Sequence, residues 1–317
     1  MKTIKIIKNR SDIGAGTRGS DLGVDAIEIA AINQHNHYFN EYEYIDLETV
    51  NESIYNKDHN SFAKRISDVL GQCTRLSDAV ASTIKTNYAI VLSGDHSAAL
   101  GTISGIKAAY PNKKLGVVWI DAHADIHSPY TSPSGNIHGM PLAAAIAMDN
   151  THLQINEVSK NTASLWNDMK TIGNDSIKLQ ADDLVYFGVR DTEQPEDQII
   201  AEKGIKNYTV SEMRYRGFDK CLEEALSRLA NCDMIYISFD VDSMDCDYIS
   251  HGTGTPVPKG FDEQEIIKII NAFIQTKKTV AFEIVEINPL LDEKGNKMAE
   301  TAFYVLEAIT KTIKENL

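Results

Sequence analysis

The 317-residue sequence contains only four cysteines, and their positions indicate neither a disulfide framework nor a thiolate metal site. Cys73, Cys221, Cys232 and Cys246 are far apart, and no two of them have Cys-x-x-Cys spacing. We therefore expect four reduced thiols with mainly structural roles.

The sequence also lacks long apolar runs and an excess of basic residues. No run of about 18 apolar residues occurs, and the N-terminal segment has no apolar stretch leading to a small-residue cleavage site. Lysine and arginine number 31 against 45 acidic residues, for a formal net charge of −14. This charge opposes binding to phosphate backbones and anionic bilayers. We expect a cytoplasmic protein without nucleic acid or membrane partners.

No Pro/Gly/Ser-rich linker, internal repeat or low-complexity tract divides the chain, which predicts one domain over residues 1–317. Apolar, β-branched runs occur at 3–7, 88–92, 115–120, 184–189, 234–239 and 279–287. Helical periodicity occurs at 61–85, 222–230, 263–277 and 298–314, and Asp262 with Glu265 forms a capping-box pattern. Polar residues 149–183 suggest a peripheral helix with loops. The alternation predicts an α/β fold with a parallel sheet.

Potential metal ligands follow three of the predicted strands. Because side chains alternate along an extended segment, the ligands within each motif can point to one side. A single Asp at a strand end is more often a helix cap, but three such motifs together favour a shared site. The six candidate ligands are His96, Asp121, His123, Asp125, Asp240 and Asp242.

Four converging carboxylates would repel one another unless cations lay between them. Two divalent cations would balance the four negative charges. Oxygen and imidazole ligands without thiolate favour Mn²⁺, although Co²⁺, Fe²⁺ or Ni²⁺ fit the same donors. Such a pair lowers the pKa of a bound water, which predicts metal-assisted hydrolysis.

Four ordered motifs resemble those of the ureohydrolase (arginase-agmatinase) family. They are residues 94–97 (Gly-Asp-His-Ser), 121–125 (Asp-Ala-His-Ala-Asp), 238–242 (Ser-Phe-Asp-Val-Asp) and 286–289 (Glu-Ile-Asn-Pro). Residues 134–139 (Ser-Gly-Asn-Ile-His-Gly) are similar to the arginase version of the substrate loop. The resemblance implies a three-layer α/β/α fold and hydrolysis of L-arginine to L-ornithine and urea. It also implies that the six candidate ligands hold two Mn²⁺ ions.

The same resemblance assigns roles to further residues. Asp125 would orient a metal-bridging hydroxide, Glu286 would pair with the substrate guanidinium, and His138 would shuttle protons. Family precedent also implies a homo-oligomer, a trimer. The expected substrate contacts are His127, Ser134, Asn136, Glu193, Glu196, Thr255 and Glu286.

Several positions depart from the common family pattern. Ser93 replaces a glycine, His127 an Asn, Glu193 an Asp and Cys246 a proline, while loop 246–251 is one residue longer and leaves the position of Thr255 open. Alternatives therefore remain: an agmatinase, guanidinobutyrase or formimidoylglutamase, or a catalytically silent homologue.

Three weaker patterns are assigned no catalytic or binding function. Gly14, Gly16 and Gly19 form a Gly-x-Gly-x-x-Gly pattern, but it begins about seven residues after the apolar run, so a structural turn is favoured over dinucleotide binding. A phosphotransferase aspartate pair at 240 and 242 would leave the motif at 121–125 unexplained. The histidines at 35, 37 and 251 are assigned no role.

Overall fold

The computed structural model describes residues 3–317, which form one eight-stranded sheet whose neighbouring strands are all parallel. The strands are β1 (Thr3–Asn9), β2 (Glu43–Asp46), β3 (Asn87–Ser93), β4 (Leu115–Ile120), β5 (Leu184–Phe187), β6 (Lys206–Tyr208), β7 (Met234–Asp240) and β8 (Thr279–Val285). Their order in the sheet is β2-β1-β3-β8-β7-β4-β5-β6.

Ten α-helices cover the two faces of the sheet in the described chain. They are α1 (Gly23–Asn33), α2 (Ile66–Thr83), α3 (Ala98–Ala109), α4 (Pro141–Ala145), α5 (Lys160–Lys170), α6 (Gln194–Lys203), α7 (Val210–Arg216), α8 (Phe218–Arg228), α9 (Glu263–Ile274) and α10 (Lys297–Asn316).

Two separate hydrophobic cores demonstrate the three layers. Val118 and Ile120 of β4 pack with residues of α1 and α7 to α10, whereas Val117 and Trp119 pack with residues of α2 to α6. The alternation along β4 follows from the two-residue period of a strand, and burial on both faces explains the continuous apolar sequence. The predicted three-layer α/β/α fold is confirmed.

The six predicted strands and four predicted helices are present, with corrected ends. The fourth predicted strand ends at Phe187, because Gly188 has a φ of 91° and leaves the extended conformation. The predicted helix at 61–85 begins only at Ile66, because Arg65 has a left-handed φ of 55°. The peripheral helix expected within 149–183 is α5, and the capping box of Asp262 and Glu265 opens α9.

Four neighbouring strands, β3, β8, β7 and β4, lie in the middle of the sheet. Since they are parallel, the loops that follow them meet at one edge, where open α/β sheets usually bind ligands. Within residues 3–317, no helix has the length and apolarity needed to cross a membrane.

Candidate metal centre and active site

The ends of three of the four central strands bring all six predicted metal ligands to one place, and the loop after the fourth adds Glu286. His96 follows β3, Asp121 follows β4, Asp240 ends β7, and Glu286 follows β8. Five of the six ligand residues are buried, and the side chain of His123 is 23% exposed. Burial of so many ionisable groups is costly unless charge is compensated.

Two groups of potential ligands share one carboxylate. His96, Asp121 and Asp240 form the first group, and Asp121, His123 and Asp242 form the second. Within each group the ligand atoms all lie within 4.8 Å of one another. A shared carboxylate is how two ions are held next to each other in binuclear centres.

His96 shows how one of these groups is prepared for a cation. Its Nδ1 lies 3.1 Å from carboxylate oxygens of Asp121, Asp125 and Asp240, yet this buried atom has no hydrogen-bond partner. Its Nε2 lies 2.8 Å from Ser238 Oγ. When the imidazole is neutral and Nε2 donates to Ser238, the Nδ1 lone pair faces three carboxylate oxygens, an arrangement that fits a bound cation.

Trp119 contacts two members of the same ligand group. Its ring stacks on the His96 imidazole with a centroid distance of 4.0 Å and an interplanar angle of 5°. Its Nε1 donates a hydrogen bond of 2.8 Å to Asp121 Oδ2. Trp119 therefore fixes the imidazole plane and one carboxylate oxygen together.

The pKa values reveal the electrostatic imbalance of the site. Burial lowers the pKa of His96, but three neighbouring carboxylates raise it well above its ordinary value. Burial and the nearby Asp121 raise the pKa of Asp125 to about 6, and they also raise that of Asp242. The carboxylates thus attract protons in the absence of other cations. Divalent ions ligated by oxygen and imidazole would relieve this imbalance, and the donor set fits them.

Two residues of the site have backbone conformations that L-residues rarely adopt. Asp125 has a φ of 48° and Glu286 a φ of 67°. The Glu286 amide donates to the Gly94 carbonyl at 2.7 Å, and a Cβ on Gly94 would lie 2.2 Å from the Ser11 oxygen. Such left-handed residues cluster at functional sites, where packing holds them in place.

The buried Glu286 and the partly exposed His138 form an acid–base pair. Glu286 Oε1 lies 2.9 Å from His138 Nδ1 and accepts the His96 backbone amide at 2.9 Å. Burial lowers the pKa of His138, but the Glu286 charge outweighs it and raises the pKa to about 9. Burial in turn raises the pKa of Glu286, but His138 lowers it below its ordinary range. An ionised carboxylate and a protonated imidazole therefore coexist near neutral pH.

A cavity of about 290 Å³ opens over these groups. Thr255 lies at the wall of the cavity, and its Oγ1 donates to Asp242 Oδ2 at 3.1 Å. The longer loop at 246–251 therefore does not displace Thr255 from the cavity. The cavity contains every predicted site residue except Asp121, which lies beneath it. Its lining is His96, His123, Asp125, His127, Ser132, Pro133, Ser134, Asn136, His138, Gly139, Asp191, Glu193, Glu196, Asp240, Asp242, Thr255 and Glu286.

His127, Glu193 and Glu196 form a cluster at the wall of the cavity. His127 Nε2 lies 3.0 Å from Glu193 Oε2, and this contact lowers the pKa of Glu193 to about 2. Glu193 and Glu196 also form the capping box of α6, in which Glu196 Oε2 accepts the Glu193 amide at 3.2 Å. Glu196 is 3% exposed and burial raises its pKa, and it lines the cavity as well as capping the helix.

Comparison with known proteins agrees with this geometry. A model of the arginase family matches residues 2–311. Over 311 residues the chain is 33% identical to the arginase of Bacillus subtilis (strain 168), with 97% of both chains covered. The chain belongs to the arginase family.

Solved structures of the family are similar over nearly the whole chain. The arginase from Bacillus caldovelox matches with a TM-score of 0.81 and 32% identity, covering 98% of both chains. Entamoeba histolytica arginase in complex with L-ornithine matches with a TM-score of 0.81 and 26% identity, covering 98% of this chain and 99% of that one. A formimidoylglutamase from Bacillus subtilis shares the fold, with a TM-score of 0.75 at 18% identity.

Several residues of this arginase-family site were not predicted from the sequence. Asp191 lies 3.6 Å from His123 Nε2, and Ser238 and Trp119 hold His96 and Asp121. Arg190 donates to backbone oxygens of residues 242–244 and 257–258, which ties two loops together under the cavity. Ser238 lies inside one of the four motifs, and the others lie within a few residues of a predicted site residue. Apart from the bond between Trp119 and Asp121, their contacts join distant segments, which the sequence pattern does not show.

The glycine-rich pattern packs against this site as a turn. An added Cβ on Gly16 would lie 2.4 Å from Asn136 Nδ2. Gly14 donates its amide to Asp95 Oδ2 at 2.9 Å, so Asp95 holds this loop instead of joining either ligand group.

A further ligand group lies outside the cavity lining. Cys246, Asp247 and His251 have ligand atoms within 4.8 Å of one another. The first two lie on a turn after β7; Cys246 is buried, Asp247 is exposed and His251 is half-buried.

Proposed function

We propose that this arginase-family chain hydrolyses the guanidinium group of L-arginine to give L-ornithine and urea. The observation that carries the proposal is the pair of ligand groups joined by Asp121 beneath a cavity whose walls bear the expected substrate contacts. Identity to arginases over nearly the whole chain supports the same reaction.

Two divalent ions would be held by the six predicted ligands. Asp125 joins the first group, because its Oδ2 lies 3.1 Å from His96 Nδ1. Carboxylate and imidazole donors without thiolate support Mn²⁺, with Co²⁺ as an alternative. When bound, such ions lower the pKa of a water molecule and supply the nucleophile near neutral pH.

The residues of the chain position the reacting groups. The ionised Glu286 can accept two parallel N–H bonds from the planar guanidinium, which fixes its central carbon. Asp125 accepts a hydrogen bond from the attacking water and orients it. The water oxygen bonds to the guanidinium carbon, the bond between that carbon and Nε of arginine breaks, and His138 supplies the proton that the leaving amine takes, which leaves urea and ornithine.

The end of the cavity opposite the guanidinium group suits the α-carboxylate and α-ammonium groups of an amino acid. Ser134 and Asn136 offer hydrogen-bond donors to the α-carboxylate, while the half-exposed Glu193 offers an ionised carboxylate to the α-ammonium. Glu196 is the second acid expected to bind the α-ammonium, directly or through water, and His127 lines the same wall and contacts Glu193. Thr255 lies at the guanidinium end, where it fixes Asp242.

Hydrolysis of related guanidino compounds by an agmatinase or guanidinobutyrase is the second candidate, and a silent homologue is the third. Ser134 and Asn136 favour arginine, because agmatine has no α-carboxylate to accept their hydrogen bonds, and Glu193 offers a partner for the α-ammonium.

Urea release from arginine, agmatine and guanidinobutyrate, and formamide release from formimidoylglutamate, should be measured after Mn²⁺ reconstitution. We expect the highest kcat/KM with arginine. Stable metal uptake without turnover of any substrate would support the silent homologue instead.

We also propose that residues 1–317 act as one domain within a cytoplasmic homo-oligomer, a trimer by family resemblance. Light scattering coupled to size exclusion should give about three times the chain mass of 35.1 kDa. A mass of one chain would exclude the trimer.

A further inference from the structure

The cavity has an unusual charge for a site that would receive an α-carboxylate. Seven of its lining residues are acidic, and none is lysine or arginine. Metal ions would compensate the acids at the floor, but Ser134 and Asn136 at the carboxylate end are neutral. An anion at that end would be stabilised by a positive charge nearby, which would offset repulsion from the acids.

Lys64 lies beside that end of the cavity. Its Nζ donates to Asn136 Oδ1 at 3.2 Å, and its backbone amide donates to the Gly135 carbonyl at 2.8 Å. A Cβ on Gly135, which has a φ of 72°, would lie 2.2 Å from the Ser61 oxygen. The segment 61–64 is therefore packed tightly on the substrate loop, which fixes the backbone from which the Lys64 side chain extends.

Lys64 is half-buried, yet no ion pair within 4.0 Å engages it in the described range 3–317. The neighbouring cations are already engaged. Arg18 pairs with Asp12, and Arg65 donates to the backbone oxygens of Ile13 and Ala15. Lys64 is thus a positive charge without an anionic partner, hydrogen-bonded to a residue expected to contact the substrate carboxylate.

We propose that Lys64 is a specificity-determining residue whose ammonium attracts the α-carboxylate of the substrate together with Ser134 and Asn136. The inference rests on the proposed function and deepens it. It explains how a cavity lined by acids accepts a zwitterionic amino acid in preference to guanidines without a carboxylate. The contribution belongs to binding, so the chemistry at the guanidinium end should proceed at the same rate without it.

The test compares L-arginine with L-argininamide, which replaces the α-carboxylate by a neutral amide of similar shape. In Lys64→Met, we expect the KM for arginine to rise about tenfold, the effect of losing one hydrogen bond between charged groups. The kcat for arginine and the KM for argininamide should stay within about twofold, since neither depends on that charge pair. Lys64→Arg keeps the charge and should retain most of the affinity for arginine. Lys57→Met, at an exposed lysine seven residues earlier, is the matched control.

Two outcomes would overturn the role of Lys64. An unchanged KM for arginine in Lys64→Met would mean that its charge is not used. Equal losses with arginine and argininamide would mean that Lys64 only positions Asn136. A wild-type enzyme that releases no urea from arginine would instead overturn the proposed function, and this inference with it.

Discussion

Replacing Glu286 by Gln removes one buried negative charge with little change in side-chain shape. In the structure Glu286 Oε1 accepts the His96 amide and contacts His138, each at 2.9 Å, and the glutamine oxygen can retain the first of these bonds. The substituted side chain cannot pair ionically with a guanidinium. The change therefore isolates the charge of this residue from its position.

The expected loss follows from burial. Glu286 is 3% exposed, so a cationic substrate group beside the variant side chain would lose a desolvated charge partner. Removing one member of such a pair costs about 2 to 5 kcal/mol, or about 30-fold to several thousand-fold in kcat/KM. Metal content should be unchanged, because Glu286 belongs to neither ligand group.

The pH profile provides a second readout of the same substitution. Burial lowers the pKa of His138, and the charge of Glu286 raises it to about 9. Wild-type His138 therefore holds its proton up to about pH 9, whereas in Glu286→Gln it loses the proton at lower pH. The alkaline limb of kcat/KM should shift to lower pH accordingly.

Steady-state urea release and metal analysis of the purified protein test both expectations. Glu293→Gln, at an exposed acid on the loop that follows, is the control for loss of one negative charge. If Glu286→Gln kept kcat/KM within threefold of wild type at full metal content, the assignment of Glu286 to the guanidinium would be refuted.

Three further substitutions test the remaining parts of the site. Asp125→Asn removes a ligand charge and should lower both metal content and rate, and a variant with unchanged activity would contradict its role. His138→Asn should keep its metal but lose about 100-fold or more in kcat together with the alkaline limb near pH 9, and an unchanged pH–rate profile would assign the proton to another group. Trp119→Phe keeps an aromatic ring under His96 but removes the hydrogen bond to Asp121, and should weaken metal affinity about 10- to 100-fold by equilibrium dialysis. Equal affinity would show that Trp119 acts only by packing.

The sequence predicted the convergence of the candidate ligands better than the rest of the fold because each ligand motif lies directly after a buried strand. Parallel strands place those ends at one edge, so local spacing was enough to assemble distant residues. The edge strands β2 and β6 were missed because they have only four and three residues and carry polar side chains. Helix α3 was missed because it is buried almost all round and shows no amphipathic period.

The residues that hold the site residues in position act through contacts between distant segments, and no local sequence pattern predicts such contacts. Lys64 reaches Asn136 only because the chain before α2 packs on the substrate loop. Glu193 and Glu196 were predicted as substrate contacts, while their spacing is also that of a helix capping box. The same two positions therefore match both the capping-box pattern and the substrate-contact pattern of the family.

The most direct test of the account is anomalous diffraction from crystals of the protein reconstituted with Mn²⁺. We expect two peaks, one beside His96 and one beside His123, with Asp121 between them. A single peak, or peaks away from these side chains at saturating Mn²⁺, would contradict the binuclear centre on which the proposed reaction depends.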